Sequence, residues 1–141
     1  MLAEILSSDA DVTIVDMEAG LEHLSRAGGT LAGVDFLLVV IEPYAKAVET
    51  ARRTALLARQ LGIARISAVA SKVRDDSELE IVKRLCAESD LELLAVMPYD
   101  DAVRLADREG RAPIDRDPNS AMVTAVGELA TRLEADWPAP A

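Results

Sequence analysis

Few residues in this 141-residue chain could do chemistry. It holds one cysteine, Cys86, and one histidine, His23. Neither an internal disulfide nor a Cys/His zinc cluster can be built from these, and a reducing, cytoplasmic setting is the natural reading. No serine or cysteine is set beside His23, so no Ser/His/Asp or Cys/His nucleophile set is credible. Polar residues directly after apolar runs are the remaining candidates. Residues 12–16 (VTIVD) end on Asp16, and 36–42 (FLLVVIE) end on Glu42 before Pro43. Residues 65–70 (RISAVA) lead into Ser71-Lys72-Val73-Arg74, and 91–97 (LELLAVM) into Pro98-Tyr99-Asp100-Asp101. A carboxylate such as Asp16 in that place either caps the following turn or orders the water shell of a hard cation. Glu42-Pro43 reads first as a strand stop.

The four runs read as β-strands. The second is apolar at every position from Phe36 to Ile41, which means that both faces are covered, as in a parallel sheet under helices. Helical patterns lie between and after them. Residues 45–61 place Val48, Ala51, Ala55, Ala58 and Leu61 on one face, and Gly62 supplies the stop. Ser77 with Glu80 fits a capping box ahead of Leu79, Val82, Leu85 and Cys86. A shorter helix spans 101–108, closed by Gly110. Asp117 before Pro118 reads as the cap of a last helix carrying Met122, Val126, Leu129 and Leu133. Strands alternating with helices imply right-handed crossovers, and ligands of such sheets bind beyond the carboxyl ends of the strands. The expected architecture is a three-layer α/β sandwich with a mainly parallel sheet of about four strands. It is one domain over 1–135 with an irregular tail at 136–141 (DWPAPA), whose Trp137 docks or lies exposed.

Composition narrows the function classes. Half of the residues are apolar but only 3% are aromatic, so Leu, Val, Ile and Ala build the core. The net charge is −10, with twelve arginines and three lysines, which disfavours nucleic acid as a partner. No apolar stretch reaches 18 residues, so no membrane span is expected, and no signal peptide is visible. Cys86 sits on an apolar helical stripe and reads as packing. Arg52-Arg53 reads as the outer face of its helix. His23, with Glu18 and Glu22 nearby, is a solvated histidine or a weak metal site.

The order of these strand ends carries a resemblance. An apolar strand ending in D-x-x-A-G (Asp16 to Gly20), a strand ending in E-P, a V-A-S-K stretch (Val69 to Lys72) and P-Y-D (Pro98 to Asp100) resemble the MinD/ParA group of P-loop ATPases. DMEAGLEHLSR from Asp16, PYDDAV from Pro98 and ADREG from Ala106 resemble in particular the accessory ATPases that mature carbon monoxide dehydrogenase by nickel insertion. The resemblance covers residues 3–135. It implies a truncated P-loop NTPase-like fold and ATP or ADP with Mg²⁺ as cofactor. Asp16 would order the Mg²⁺ shell, and Gly20 would be the switch glycine that senses the γ-phosphate. Ser71 and Lys72 would stand where the family reads the base, and Pro98 and Tyr99 would line the base pocket. Ser71 replaces the family's base-reading asparagine, offering one hydroxyl in place of a carbonyl and an NH₂. Lys72 either reaches toward a base or is a solvated turn residue. The nickel-handling members use a C-x-C pair, which Cys86 alone cannot reproduce within one subunit.

A phosphate loop needs glycines followed by Lys and Ser/Thr, whose N–H groups and ammonium cradle the phosphates. The seven glycines here are followed by Leu, Gly, Thr, Val, Ile, Arg and Glu. The family's phosphate-loop strand lies between the strand ending at Asp16 and the Phe36 strand. Without it the two edges either close on each other or are completed by another chain, a homo-oligomer or a separate partner. The expectation is a nucleotide-binding-fold domain without autonomous ATPase activity, serving as an interaction or regulatory module connected to metalloenzyme maturation. Two alternatives stand beside it: an ATPase half completed in trans by a phosphate-loop chain, and a weak adenine-nucleotide sensor without hydrolysis.

Overall fold

Three of the four apolar runs become neighbouring strands, and helices of 13 and 16 residues connect them. The structure, a computed structural model, describes residues 12–17 and 34–136. In chain order the elements are β1 (Phe36–Ile41), α1 (Ala45–Gln60), β2 (Arg65–Val73), α2 (Asp76–Glu88), β3 (Glu92–Pro98), α3 (Asp101–Arg108), α4 (Pro113–Arg116) and α5 (Ala121–Asp136). The sheet has the order β1-β2-β3 and is parallel throughout, with Phe36 opposite Arg65 and Ile41 opposite Ala70. The α/β class and the parallel sheet are as expected.

The core explains the composition. Ala51 and Ala55 of α1 and Val82, Leu85 and Cys86 of α2 pack on Val39, Ile41, Ala68 and Ala70 of the sheet. Alanine on the contact face of α1 lets the helix approach closely, and Ile41 and Val82 are the largest side chains buried completely. In central β2, residues 67 to 71 are all buried, which is the double-sided burial that its unalternating sequence requires. Helix α5 packs along β3 without burying any residue fully. Among the described residues, no helix is long and apolar enough to cross a membrane.

Several local expectations need correction. Residues 12–16 are not a strand: they join no ladder with β1, β2 or β3, and Val12 and Ile14 are 54% and 89% exposed. A strand is stable only beside another, and none of the three strands pairs with this run. The sheet of the described residues therefore has three strands, and β1 does not close onto the Asp16 run. Helix α2 is capped by Asp75, not Ser77: the Asp75 Oδ1 accepts from the Glu78 N–H at 3.0 Å and from the Ser77 hydroxyl at 2.6 Å. Asp117 closes the short α4, which sequence patterning missed, and Ser120 stands before α5, its Oγ accepting from the Val123 N–H at 3.4 Å. Four residues carry too little periodicity to announce a helix. Asp136, assigned to the tail, is the last residue of α5. Glu18, Gly20, Glu22, His23 and Trp137 lie outside the described residues.

Candidate functional site: the carboxyl edge of the sheet

Parallel strands end together, so their terminal residues converge. Strand β1 stops at Ile41, leaving Glu42 at its end, while β2 runs three residues further than its apolar pattern suggested, through Ser71, Lys72 and Val73. Lys72 is the reason the extra residues fit: its φ is +57°, a left-handed conformation that non-glycine residues rarely adopt. The β2–β3 register slips between Ala70 and Val73 at this bend. Ser71 and Val73 on either side are buried, and Lys72 between them reaches across the sheet end, its Nζ 2.9 Å from the Glu42 Oε1. This pair joins the ends of two neighbouring strands from positions thirty residues apart.

Strand β3 delivers the other half. The Tyr99 N–H donates to the carbonyl oxygen of Val73 at 2.8 Å, which fastens the loop after β3 to the end of β2. The Arg74 guanidinium lies over the Tyr99 ring, 4.3 Å from its centroid. Arg74 is itself held by Glu78, whose Oε2 accepts from the Arg74 backbone N–H at 2.7 Å. Next in sequence, Asp100 caps α3 by accepting from the Ala102 N–H at 2.8 Å, and its second oxygen accepts from the Met122 N–H of α5 at 3.0 Å. The Met122 N–H, followed by that of Ala102, holds the Asp100 carboxyl below the usual carboxylate range. One side chain thus fixes the Pro98-Tyr99 loop to the start of the last helix.

Of the residues singled out from sequence, Ser71, Lys72, Pro98 and Tyr99 come to one edge. Asp16 does not join them. Met17, beside it, packs against the Ala58–Ile63 cluster just before the start of β2, and Asp16 itself is exposed. Among the described residues, no three His, Cys, Asp or Glu side chains gather as a metal site. Cys86 is buried, and burial pushes its thiol pKa up, so it is packing. Arg52 and Arg53 both pair with Glu49 on the solvent face of α1. Sequence reading gave no role to Glu42 beyond ending its strand, and none to Arg74 or Asp100. The signal for Glu42 was available: adjacent parallel strands of matched register bring a carboxylate and a lysine at their ends together.

No family model matches the chain. It is 36% identical over 118 residues to the carbon monoxide dehydrogenase accessory protein CooC of Rhodospirillum rubrum, covering 84% of this chain and 43% of that protein. It is 38% identical over 122 residues to an uncharacterized ATP-binding protein of Methanocaldococcus jannaschii, covering 86% of this chain and 46% of that one. The septum site-determining protein MinD of Pyrococcus horikoshii, solved with Mg-ADP, superposes with a TM-score of 0.73 at 21% identity, over 94% of this chain and 55% of that chain. That last likeness speaks for the fold. The chain spans about half the length of the curated relatives it matches.

Proposed function

This chain is a homologue of the MinD/ParA-type ATP-binding proteins and fits their C-terminal part, and from that premise we propose that it is an interaction module of a nucleotide-binding fold rather than an autonomous ATPase. The observation that carries this reading is the unequal treatment of the two sheet edges. At β3, Arg132 reaches from α5 to the Leu94 carbonyl oxygen at 2.7 Å and is held by Glu92 at 2.5 Å. An edge closed by a charged side chain resists further pairing. The outer edge of β1 has no strand beside it among the described residues. Its sequence, FLLVVI, holds no charge and no proline, and Val40 is 64% exposed. Such an edge accepts a further strand. The occupant we assign is a strand of a phosphate-loop-bearing half, because the matched relatives are about twice as long and none of the glycines here is followed by lysine.

The carboxyl edge supports a second, compatible reading, a weak site for an adenine nucleoside. Ser71, Lys72, Pro98 and Tyr99 gather there. One relative's name suggests the setting: the module would act in maturing a metalloenzyme of the carbon monoxide dehydrogenase kind.

Calorimetry with ATP, in the presence and absence of Mg²⁺, tests the proposal. The isolated chain should release no phosphate and bind with no Mg²⁺ dependence. A phosphate-loop half of a MinD/ParA-type protein, added in trans, should form a stoichiometric complex that Val40→Lys abolishes. Tight Mg²⁺-dependent binding or hydrolysis by the chain alone would overturn it.

A further inference from the structure

We propose that the solvent face of α1 is a docking surface for an acidic, amphipathic helix of another protein, held by Arg52 and Arg53 around the exposed Leu56. This surface is separate from the open edge of β1, and it stands whether or not that edge takes a strand.

Charge is distributed unevenly in this chain. Helix α1 carries Lys46, Arg52, Arg53 and Arg59 against Glu49 alone, a net charge of +3 within a chain of net charge −10. Helix α2, which packs beside it on the same sheet face, has the opposite excess: Asp76, Glu78, Glu80 and Glu88 against Lys83 and Arg84. Helical spacing puts positions 49, 52, 53, 56 and 60 on one face of α1, opposite the buried Ala51, Ala55 and Ala58. Arg59 stands at the flank, where its Nη2 donates to the Ser89 and Asp90 carbonyl oxygens at 2.6 and 2.7 Å and ties α1 to the end of α2. The docking face therefore belongs to Arg52 and Arg53. One carboxylate orders both: Glu49 accepts from Arg52 at 2.9 and 3.0 Å and from the Arg53 Nε at 2.7 Å. A guanidinium has five N–H donors, so most of those on the two side chains are left for a partner. The two side chains are 52% and 61% exposed, and Leu56, one turn on, is 53% exposed.

These features select the partner. Carboxylates match the planar fork of arginine, and an apolar side chain on the same partner would take Leu56 out of water. The 16 residues of α1 make a rod about 24 Å long, which is the footprint of one helix. A second copy of the chain fits poorly, because a two-fold contact centred here sets α1 against α1, cation against cation. A flat anionic membrane would touch α2 together with α1 and meet its excess of carboxylates. A nucleic-acid duplex would run past the ends of α1 onto the acidic remainder of the chain. An acidic helix is small enough to meet α1 alone.

Fluorescence anisotropy on the full 141-residue chain tests this. The probe is a labelled, alanine-based helical peptide with glutamates flanking two leucines on one face, and a second peptide has serines in place of the leucines. The leucine peptide should bind, and its affinity should fall about tenfold as salt rises from about 50 to about 300 mM. Arg52→Gln combined with Arg53→Gln should weaken binding at least about tenfold. Arg104→Gln on α3, whose side chain is 53% exposed, should change nothing. Glu49→Gln, which releases both guanidiniums, should tighten binding about threefold. Leu56→Ser should weaken the leucine peptide about fivefold and erase its advantage over the serine peptide. All of these positions are solvent-facing, and circular dichroism melting confirms that each variant folds. No binding of the leucine peptide, binding unchanged by the paired arginine substitution, or a leucine advantage that survives Leu56→Ser would overturn the proposal. So would duplex DNA, or phosphatidylcholine vesicles containing phosphatidylserine, binding through the same arginines as tightly as the peptide. The strand-accepting edge of β1 is read separately, by Val40→Lys in the trans complex, so either reading can fail alone.

Discussion

Replacing Asp100 by alanine should loosen the molecule where its strand end, its third helix and its last helix meet. The carboxylate accepts from the Ala102 N–H at 2.8 Å and the Met122 N–H at 3.0 Å, so the substitution strands two backbone donors at once. Loss of an N-cap costs about 1 kcal/mol. A hydrogen bond to a charged acceptor contributes about 1.5–3 kcal/mol. Both donors are only part-buried, so water recovers some of this, and the expected loss is about 2–3 kcal/mol. In a chain of this size that lowers the melting temperature by roughly 6–12 °C. Asp100→Asn keeps one acceptor oxygen and should lose about half as much. The pH dependence supplies a second, independent signature. The folded carboxyl is held below its unfolded value, so the unfolded chain takes up the proton first as pH falls. The contribution is complete above the unfolded pKa of about 3.9 and disappears as pH drops through the lower folded value. Urea unfolding followed by circular dichroism should therefore show the gap between unaltered protein and Asp100→Asn narrowing below about pH 4. A loss under about 0.5 kcal/mol for the alanine variant, or a gap independent of pH, would refute the reasoning.

Other outcomes are as specific. Ile41 is fully buried among Ala51, Ala55 and Ala70, so Ile41→Ala should cost about 2–5 kcal/mol in the same urea assay. Asp75→Ala should lower the melting temperature more than Ser77→Ala, because the carboxylate, not the hydroxyl, caps α2. Equal effects would restore the serine as the cap. Cys86 is buried, with its pKa raised, so iodoacetamide at pH 8 should alkylate the folded chain far more slowly than the urea-unfolded chain, as read by mass spectrometry.

Much of the fold could be read from particular residues. The unbroken apolar run from Phe36 to Ile41 announced a strand of a parallel sheet, though Val40 between buried Val39 and Ile41 stays exposed, and the alanine-lined stripe through Ala51, Ala55 and Ala58 announced a helix packed closely on it. Periodicity also gave α3 its bounds, with Gly110 after it at φ +65°. The misreadings share a cause. Residues 12–16 have a strand's composition, but pairing depends on a neighbour, and composition does not report one. Asp75 and Ser77 are both good caps two positions apart, and the backbone alone chose between them: Asp75 is extended at φ −153° and Ser77 is helical.

The candidate site divides along the same line. Sequence order put Ser71, Lys72, Pro98 and Tyr99 after or at the ends of apolar runs, and parallel strands were enough to send them to one edge. Which of their partners they would meet was decided by tertiary structure. The Lys72–Glu42 pair, Arg74 over Tyr99, and Asp100 bound to Met122 join residues that are distant in the chain or turned toward each other by one left-handed residue. Asp16 makes the same point in reverse. Its run has a strand's composition, yet residues 12–16 form no strand and Asp16 is exposed, while Met17 packs against Ala58 and Ile63. Local pattern fixes what a segment can form because periodicity and capping act over a few residues. Where the segment goes is set by burial and by strand pairing, which depend on what the rest of the fold provides.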